Sequence, residues 1–526
     1  MPEAGLSNKT DSMLKITIPL IGRMLTVLLF LTLSVLGMAF SVYLFTLANS
    51  TYMYVLAISF AALSLVSGFF NVYASIWYFK SYFYDAYIRR IQAGLKPLGR
   101  LPTVAIAIPI YNEDPAMVDE NVRSITKMDY PKGKMSIYLL DDSSDPGISA
   151  AMAKVARKYG AKYLHRGDRS GFKAGALNNM LKHSKEEFVA IFDSDEELMD
   201  TGYIREMLPY FNDPKLSYIQ TEKRYKKANF FSDTVDTFDA FFFKFIQPAR
   251  ALNNTAIFAG SCGIIKRSAL DVIGGFPEYV IEDTFFSFES DMHNYKSLYV
   301  PKVYALGRPV KSFTELVKQQ WRYNYGDTQF ISYFFKRRGF TKRSPFSNMD
   351  YVTHGLGLNY ISVVLIMFTI ISIGVVFSAA PFSHINFSHI FATASIGLYM
   401  ELLGFFAFTL SLLTPVLLTA IYFGSWKKGA MIFLLNYALA FVRTKAAIAT
   451  VLNSNPGINW NRLKSKNVTL NFRAILTNSK VETAFAAIMF GLAGIALLQS
   501  DLAGGIWLVW YGFLYMLTMA FMLKYG

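Results

Sequence analysis

The chain has one cysteine, Cys262, so no disulfide can form within it. Its six histidines are scattered and, with a single thiol, make no zinc-binding pattern. Charge is scarce too. Asp, Glu, Lys and Arg make up 17% of the 526 residues, against about a quarter in soluble proteins. Hydrophobic residues reach 53%, and mean hydropathy is +0.29. An ordinary soluble protein of this size is thereby excluded. No internal repeat, low-complexity segment or added regulatory domain is visible. A cleavable signal peptide is not expected, because the apolar run 24–47 is longer than a signal core. The net charge of +15 would suggest nucleic-acid binding in a soluble protein. Here Lys and Arg mostly flank apolar runs, so membrane topology and anionic lipid account for them. No nucleic-acid partner is expected, and nothing points to a protein partner.

What is present is a membrane pattern wrapped around a soluble one. Residues 1–20 form a polar tail. Residues 21–80 read as a transmembrane hairpin, with spans at 21–47 and 52–79. The link Ala48-Asn49-Ser50-Thr51 is uncharged, whereas Lys80, Arg89, Arg90, Lys96 and Arg100 follow the second span. The positive-inside rule puts that end in the cytoplasm. Residues 95–310 read as a soluble domain, and 311–350 as amphipathic interfacial helices. The C-terminal region 351–526 has further apolar runs at 353–378, 389–422, 483–500 and 503–523. About six spans result, with both termini cytoplasmic and the plasma membrane as the expected site. The run 429–452 carries Arg443 and Lys445 in its middle, so it reads as interfacial or re-entrant. Glu401 lies inside an expected span, either as a functional group or as a paired or snorkelling carboxylate.

The fold class is therefore α/β plus α-helical membrane. Within the soluble domain, Val104–Ile108, Ser136–Leu140 and Phe188–Phe192 are short apolar runs rich in β-branched and aromatic residues. Helical stretches alternate with them, at 148–159 and 174–183. That alternation predicts a parallel, doubly wound sheet. Ligands of such sheets bind beyond the carboxyl ends of the strands. There the sequence places Tyr111-Asn112-Glu113, Asp141-Asp142 and Asp193-Ser194-Asp195.

Each motif has a plain structural alternative. Asp-Ser-Asp favours turns and helix caps as well as hard cations. Gly171-Phe172-Lys173-Ala174-Gly175-Ala176-Leu177-Asn178 offers glycines and a lysine at a helix start, where anions bind, or a solvated helix start. Glu282-Asp283 fits a catalytic carboxylate or a helix N-terminus. Gln319 and Arg322 share a helix face at i and i+3, beside Trp321 and Tyr323, or these aromatics belong to an interfacial belt.

Taken in order, these motifs resemble the membrane-embedded family 2 glycosyltransferases, the cellulose, hyaluronan, chitin and plant mannan synthases. The resemblance runs from about Pro102 to Lys466. It implies a cytoplasmic GT-A type domain, the fold of nucleotide-diphospho-sugar transferases. It implies that Tyr111, Asn112, Glu113, Asp141, Asp142, Lys173, Gly175, Asn178 and Asp193 bind the nucleotide-sugar. Asp193 and Asp195 would hold Mg2+ or Mn2+, with Asp195 the stronger ligand. Asp283 would be the general base, with Glu282, Gln319 and Arg322 completing the catalytic set. Gly260 and Ser261, in Phe258-Ala259-Gly260-Ser261-Cys262-Gly263, would meet the acceptor with Trp321 and Tyr323. The family's usual tryptophan is Tyr323 in this chain. Val442-Arg443-Thr444-Lys445-Ala446 resembles plant mannan synthases, while the cellulose synthase gating pattern Phe-x-Val-Thr is not evident.

The expected function is an inverting transfer from a nucleotide-sugar, a UDP-hexose, onto a β-linked polysaccharide exported through the chain's own helices. Two rivals stand beside it. One is a non-processive enzyme that glycosylates a lipid, and the remote one is a non-catalytic transporter or scaffold. Polysaccharide or lipid acceptor and membrane lipid are the other expected partners.

Overall fold

The structure is a computed structural model that describes residues 20–48, 50–337, 344–377, 410, 413–452, 476, 479–499 and 502–526. The expectations for Glu401, nearly all of the tail 1–20 and most of the 389–422 run lie outside these residues.

Helices α1 (Leu20–Leu47) and α2 (Thr51–Ala93) form the opening hairpin. Ser50 caps α2 by accepting from the Met53 amide. At 43 residues, α2 is about 64 Å long at ~1.5 Å per residue, well beyond a bilayer's hydrocarbon core. Its last turns belong to the soluble domain, where Tyr84 and Ile88 join the main apolar core. The expected end of the span near residue 80 therefore marks no break in the helix.

The soluble domain carries β1 (Val104–Ile110), α3 (Pro115–Ile125), β2 (Met135–Asp141), α4 (Pro146–Tyr159), β3 (Lys162–His165), α5 (Phe172–His183), β4 (Phe188–Ile191), β5 (Glu197–Leu198), β6 (Leu216–Tyr225), α6 (Phe230–Phe241), β7 (Gly263–Lys266), α7 (Glu282–Met292) and β8 (Lys296–Gly307). The three expected strands and both expected helices are present. β1 is buried along its length, as a strand covered by helices on both faces must be.

The sheet corrects the all-parallel expectation. Its order is β3-β2-β1-β4-β7-β6-β8-β5. Strands β1 to β4 are parallel, but β7 runs antiparallel to both β4 and β6, and β5 antiparallel to β8. The sheet is mixed. The reversal of β7 matters for function: Gly263 pairs with Ile191, so the segment entering β7 lies at the carboxyl end of β4. β6 runs parallel to β4 by the same logic, so its carboxyl end reaches that edge too.

Helix α8 (Phe313–Lys336) leaves the domain as one amphipathic helix, capped by Ser312 and burying Phe313, Leu316, Phe330 and Phe334. Helices α9 (Pro345–Phe377), α10 (Trp426–Val451), α11 (Lys480–Leu498) and α12 (Leu502–Tyr525) follow. Five described helices are long and apolar enough to cross a bilayer, and the bent pair Pro345–Gly357 and Tyr360–Ile371 is a sixth if it forms one span. Helix α10 is unbroken over 26 residues, which excludes a re-entrant turn within it. The charges that argued against a crossing are both partnered inside the protein. Arg443 donates to Gln320 and Asn436, and Lys445 pairs with Glu482.

The soluble domain is fastened to the helices through Asp350, which is fully buried in α9. Its carboxylate accepts from Tyr73 Oη at 2.8 Å and Trp77 Nε1 at 3.1 Å on α2, and from Asn253 Nδ2 at 2.7 Å and Thr255 Oγ1 at 2.6 Å on the domain. Four donors offset the desolvation of the buried charge.

Candidate active site

Segments that the sheet delivers to one edge meet around Asp193, just past the end of β4. Lys173, in the first turn of α5, donates to Asp193 Oδ1 at 2.6 Å and to the Gly260 carbonyl at 2.9 Å. Its ammonium is 4.0 Å from Glu282. Lys223, near the end of β6, lies 3.2 Å from Asp193 Oδ2 and 3.3 Å from Glu196. Ser261 accepts from Lys223 and donates to Glu196 at 2.6 Å. Burial opposes ionisation of Asp193, but Lys173 and Lys223 together hold its carboxyl well below the usual range.

Gly260 has φ of 80°, and a β-carbon there would stand 3.1 Å from Asp283 Oδ2 and 3.6 Å from Lys173 Nζ. The left-handed backbone and this tight approach both require glycine. From residue 282 to 291 every side chain in α7 is buried except Asp283, which is half-buried. Asp283 is thus the group that α7 turns toward the cleft. Burial pushes its carboxyl up, although Thr284, Lys173 and Arg322 oppose the shift. Burial also pushes Glu282 up to about 7; Lys173 opposes and Asp283 adds to the rise. Arg322 on α8 feels the charges of Glu282 and Asp193 and lies over the Tyr323 ring at 5.2 Å. Gln319 Oε1 is buried and has no hydrogen-bond partner among the described residues.

The sequence reading thus finds Lys173, Asp193, Gly260, Ser261, Glu282, Asp283, Arg322 and Tyr323 gathered at one edge. Other expected residues have protein partners of their own. Asp141 is fully buried and accepts from the Ser143 amide at 2.9 Å and Tyr163 Oη at 2.6 Å. Asp142 is gripped by Arg166 at 2.8 and 2.5 Å, and the same guanidinium donates to the Ser170 and Phe172 carbonyls. These two carboxylates shape the 163–172 loop, with their oxygens taken by protein donors. Asn178 has its amide spent on Phe276, donating to the carbonyl at 2.9 Å and accepting from the amide at 2.7 Å. It straps the loop before α7. Gly175 gives room, since a β-carbon would meet the Ser170 carbonyl at 2.1 Å. Trp321 is two residues from Gln319, about 200° round the helix at ~100° per residue, so Tyr323, not Trp321, shares the Gln319 face. Tyr111 lies at the outer edge, with the Arg169 guanidinium 3.2 Å above its ring. Asn112 holds a φ of 50° and braces the 143–145 turn. Glu113 is 8% exposed.

Lys223, Glu196, Arg166 and Asp239 were missed. Asp239, on α6, is pushed up to about 7 by burial and by Asp236, and its charge is felt by Tyr225 and Tyr323. The one available signal was the charged run Glu222-Lys223-Arg224 near the end of a strand.

Asp195 is half-buried two residues beyond Asp193. Among the described residues no three His, Cys, Asp or Glu side chains could hold a metal by themselves. Two hard carboxylates at one strand end still fit Mg2+ or Mn2+, which take few protein ligands and complete their shell with water and phosphate.

Residues 105–274 match the family model described as glycosyl transferase family 2. A cellulose synthase catalytic subunit (UDP-forming) of Pseudomonas fluorescens strain SBW25 is 32% identical over 236 residues, which is 43% of this chain and 31% of that protein. The corresponding subunit of Xanthomonas axonopodis pv. citri is 30% identical, over 43% of this chain and 32% of that protein. The chain thus spans about a third of the length of the curated relatives it matches. Among solved structures, the mannosyltransferase PcManGT from Pyrobaculum calidifontis, in complex with GDP-Man and Mn2+, is 18% identical with a TM-score of 0.48, over 73% of this chain and 99% of that one.

Proposed function

We propose that this chain, whose residues 105–274 match the glycosyl transferase family 2 model, is an inverting membrane glycosyltransferase that extends a β-linked polysaccharide from a nucleotide-sugar. The observation that carries the reading is the pairing of a cationic floor with an isolated carboxylate. Lys173 and Lys223 converge on Asp193, while Asp283 alone turns outward from α7. A nucleotide-sugar brings a diphosphate that must leave with its growing charge neutralised. Lys173 and Arg322 supply that charge here. Asp193 and Asp195 would hold a divalent cation that neutralises the diphosphate further when bound.

Inversion needs a base on the side opposite the leaving group. Asp283 takes the proton from the acceptor hydroxyl as its oxygen attacks the anomeric carbon. Burial has raised that carboxyl, which strengthens it as a proton acceptor near neutral pH. Tyr323 offers a ring for the acceptor sugar. A UDP-hexose is the expected donor, since the cellulose synthase subunits matched above are UDP-forming. The domain sits on the cytoplasmic side, because Lys80, Arg89, Arg90 and Lys96 flank the span that enters it. The polymer leaves through the helices α9 to α12.

The direct experiment supplies labelled nucleotide-sugars one at a time to purified protein in lipid. A product that grows in size and resists solvent extraction supports polymer synthesis. A small, solvent-extractable product would replace it with glycolipid synthesis, and no transfer from any donor would overturn the enzyme reading.

A further inference from the structure

The Arg443 guanidinium is fully buried in α10. Its Nε donates to Gln320 Oε1 at 2.9 Å, and its Nη1 donates to Asn436 Oδ1 at 3.0 Å, two turns back on its own helix. Phe238 covers the group, its ring 5.9 Å from the guanidinium carbon. Leu316, Leu435 and Leu439 line the rest, leaving a space of about 10 Å³, room for no more than one water. The guanidinium therefore has nowhere to swing. Among the described residues no carboxylate lies within ion-pair distance of it. A buried cation with amide partners only is less favourable than an apolar side chain of the same size. What an apolar side chain lacks is a set of rigidly directed donors.

Those donors reach the helix that carries the candidate active site. Gln320 is 2% exposed, adjoins Gln319 and lies two residues before Arg322. Thr450, two turns further along α10, donates to the Tyr325 carbonyl at 3.3 Å. Helix α8 is thus tied to α10 at two points that flank Arg322 and Tyr323. Lys445 faces elsewhere, to Glu482 on α11 at 2.9 Å.

We infer that Arg443 is a positioning residue for the transfer reaction: by holding Gln320 it sets the rotation of α8, and so the places of Gln319, Arg322 and Tyr323. The inference rests on the function proposed above. A helix rotation of ~10° moves a group ~6 Å from the axis by about 1 Å. Misplacement of about 1 Å at a reacting centre can cost about 100-fold in rate.

The test compares Arg443→Met, Arg443→Lys, Gln320→Met, the double variant Arg443→Met with Gln320→Met, and Lys445→Met. Each is measured as folded full-length protein in lipid, for kcat, donor KM and amide hydrogen exchange over residues 319–325. Arg443→Met is expected to lower kcat about 10- to 100-fold, with donor KM within about threefold. Gln320→Met should match it, and the double variant should be no worse than either single change, because one contact is removed once. Arg443→Lys should recover part of kcat. Exchange over 319–325 should rise in Arg443→Met and Gln320→Met, not in Lys445→Met. Unchanged kcat in folded Arg443→Met, an equal loss in Lys445→Met, or additive losses in the double variant would overturn the inference. A wild type that transfers no sugar removes the proposed function instead. The exchange data then still decide whether Arg443 holds α8, and unchanged protection in Arg443→Met would overturn that too.

Discussion

The ammonium of Lys173 stands 2.6 Å from Asp193 Oδ1, joining the start of α5 to the end of β4 at the edge where a diphosphate would lie. Lys173 is a quarter exposed, so it is accessible to a ligand as well as to Asp193. Lys173→Met should weaken UDP binding about 10- to 100-fold, the range for a charge-assisted hydrogen bond lost from a shielded site. Titration calorimetry with UDP and with uridine separates the terms. UDP affinity should fall while uridine affinity holds. A loss of both would mean that the loop, and not the charge, has been disturbed.

A second prediction concerns metal. Chelation with EDTA should abolish transfer, and Mg2+ or Mn2+ should restore it, because the two carboxylates leave most of the coordination shell to the substrate. Asp195→Asn should cost more than Asp193→Asn, since Asp193 already serves two lysines. Full transfer in excess EDTA would refute the assignment.

The third prediction is the pH profile. Raised carboxyls are protonated, and useless as bases, until pH climbs through their shifted range. Glu282 is held at about 7 and Asp283 above its ordinary value, both chiefly by burial. Transfer rate should therefore fall on the acid side well above the usual carboxylate range, as a property of the coupled pair. Glu282→Gln, which removes one of the two adjoining carboxyls, should move that acid limb to lower pH. A limb in kcat/KM that stays near pH 4 in the wild type would contradict the burial of this pair.

How much of this was legible in the sequence depends on range. Asp193 and Asp141 were found because each ends a short apolar run, and strand ends bind ligands in such sheets. The shared face of Gln319 and Tyr323 follows from helical spacing alone. Lys223 was not legible, because only the pairing of β6 with β7 carries it to Asp193. The same holds for the antiparallel course of β7, a four-residue strand whose direction depends on contacts far along the chain. Arg166 carried no sequence signal, because its two contacts with Asp142 cross from the loop after β3 to the end of β2. Arg443 read as an obstacle to a membrane crossing because its partner, Gln320, is 123 residues away.

The fourth prediction is topological. The native Cys262 is 1% exposed, so an impermeant thiol reagent should leave the wild type unlabelled. A cysteine at Ser50, in the uncharged link after α1, should react from outside in intact cells. Labelling only after permeabilisation would reverse the orientation inferred from the flanking lysines and arginines.

The most direct measurement sets Asp283→Asn beside Arg322→Ala, with transfer rate and UDP affinity taken on the same folded proteins in lipid. On the proposed mechanism Asp283 acts on the acceptor hydroxyl alone, so Asp283→Asn should lower turnover about 100- to 10,000-fold with UDP affinity nearly intact. On the same proposal Arg322 acts on the leaving diphosphate, so Arg322→Ala should lower both, and Arg322→Lys should restore only part because it returns charge without the planar fork. Normal turnover in Asp283→Asn, or a loss of UDP affinity as severe as that of Arg322→Ala, would contradict Asp283 as the base.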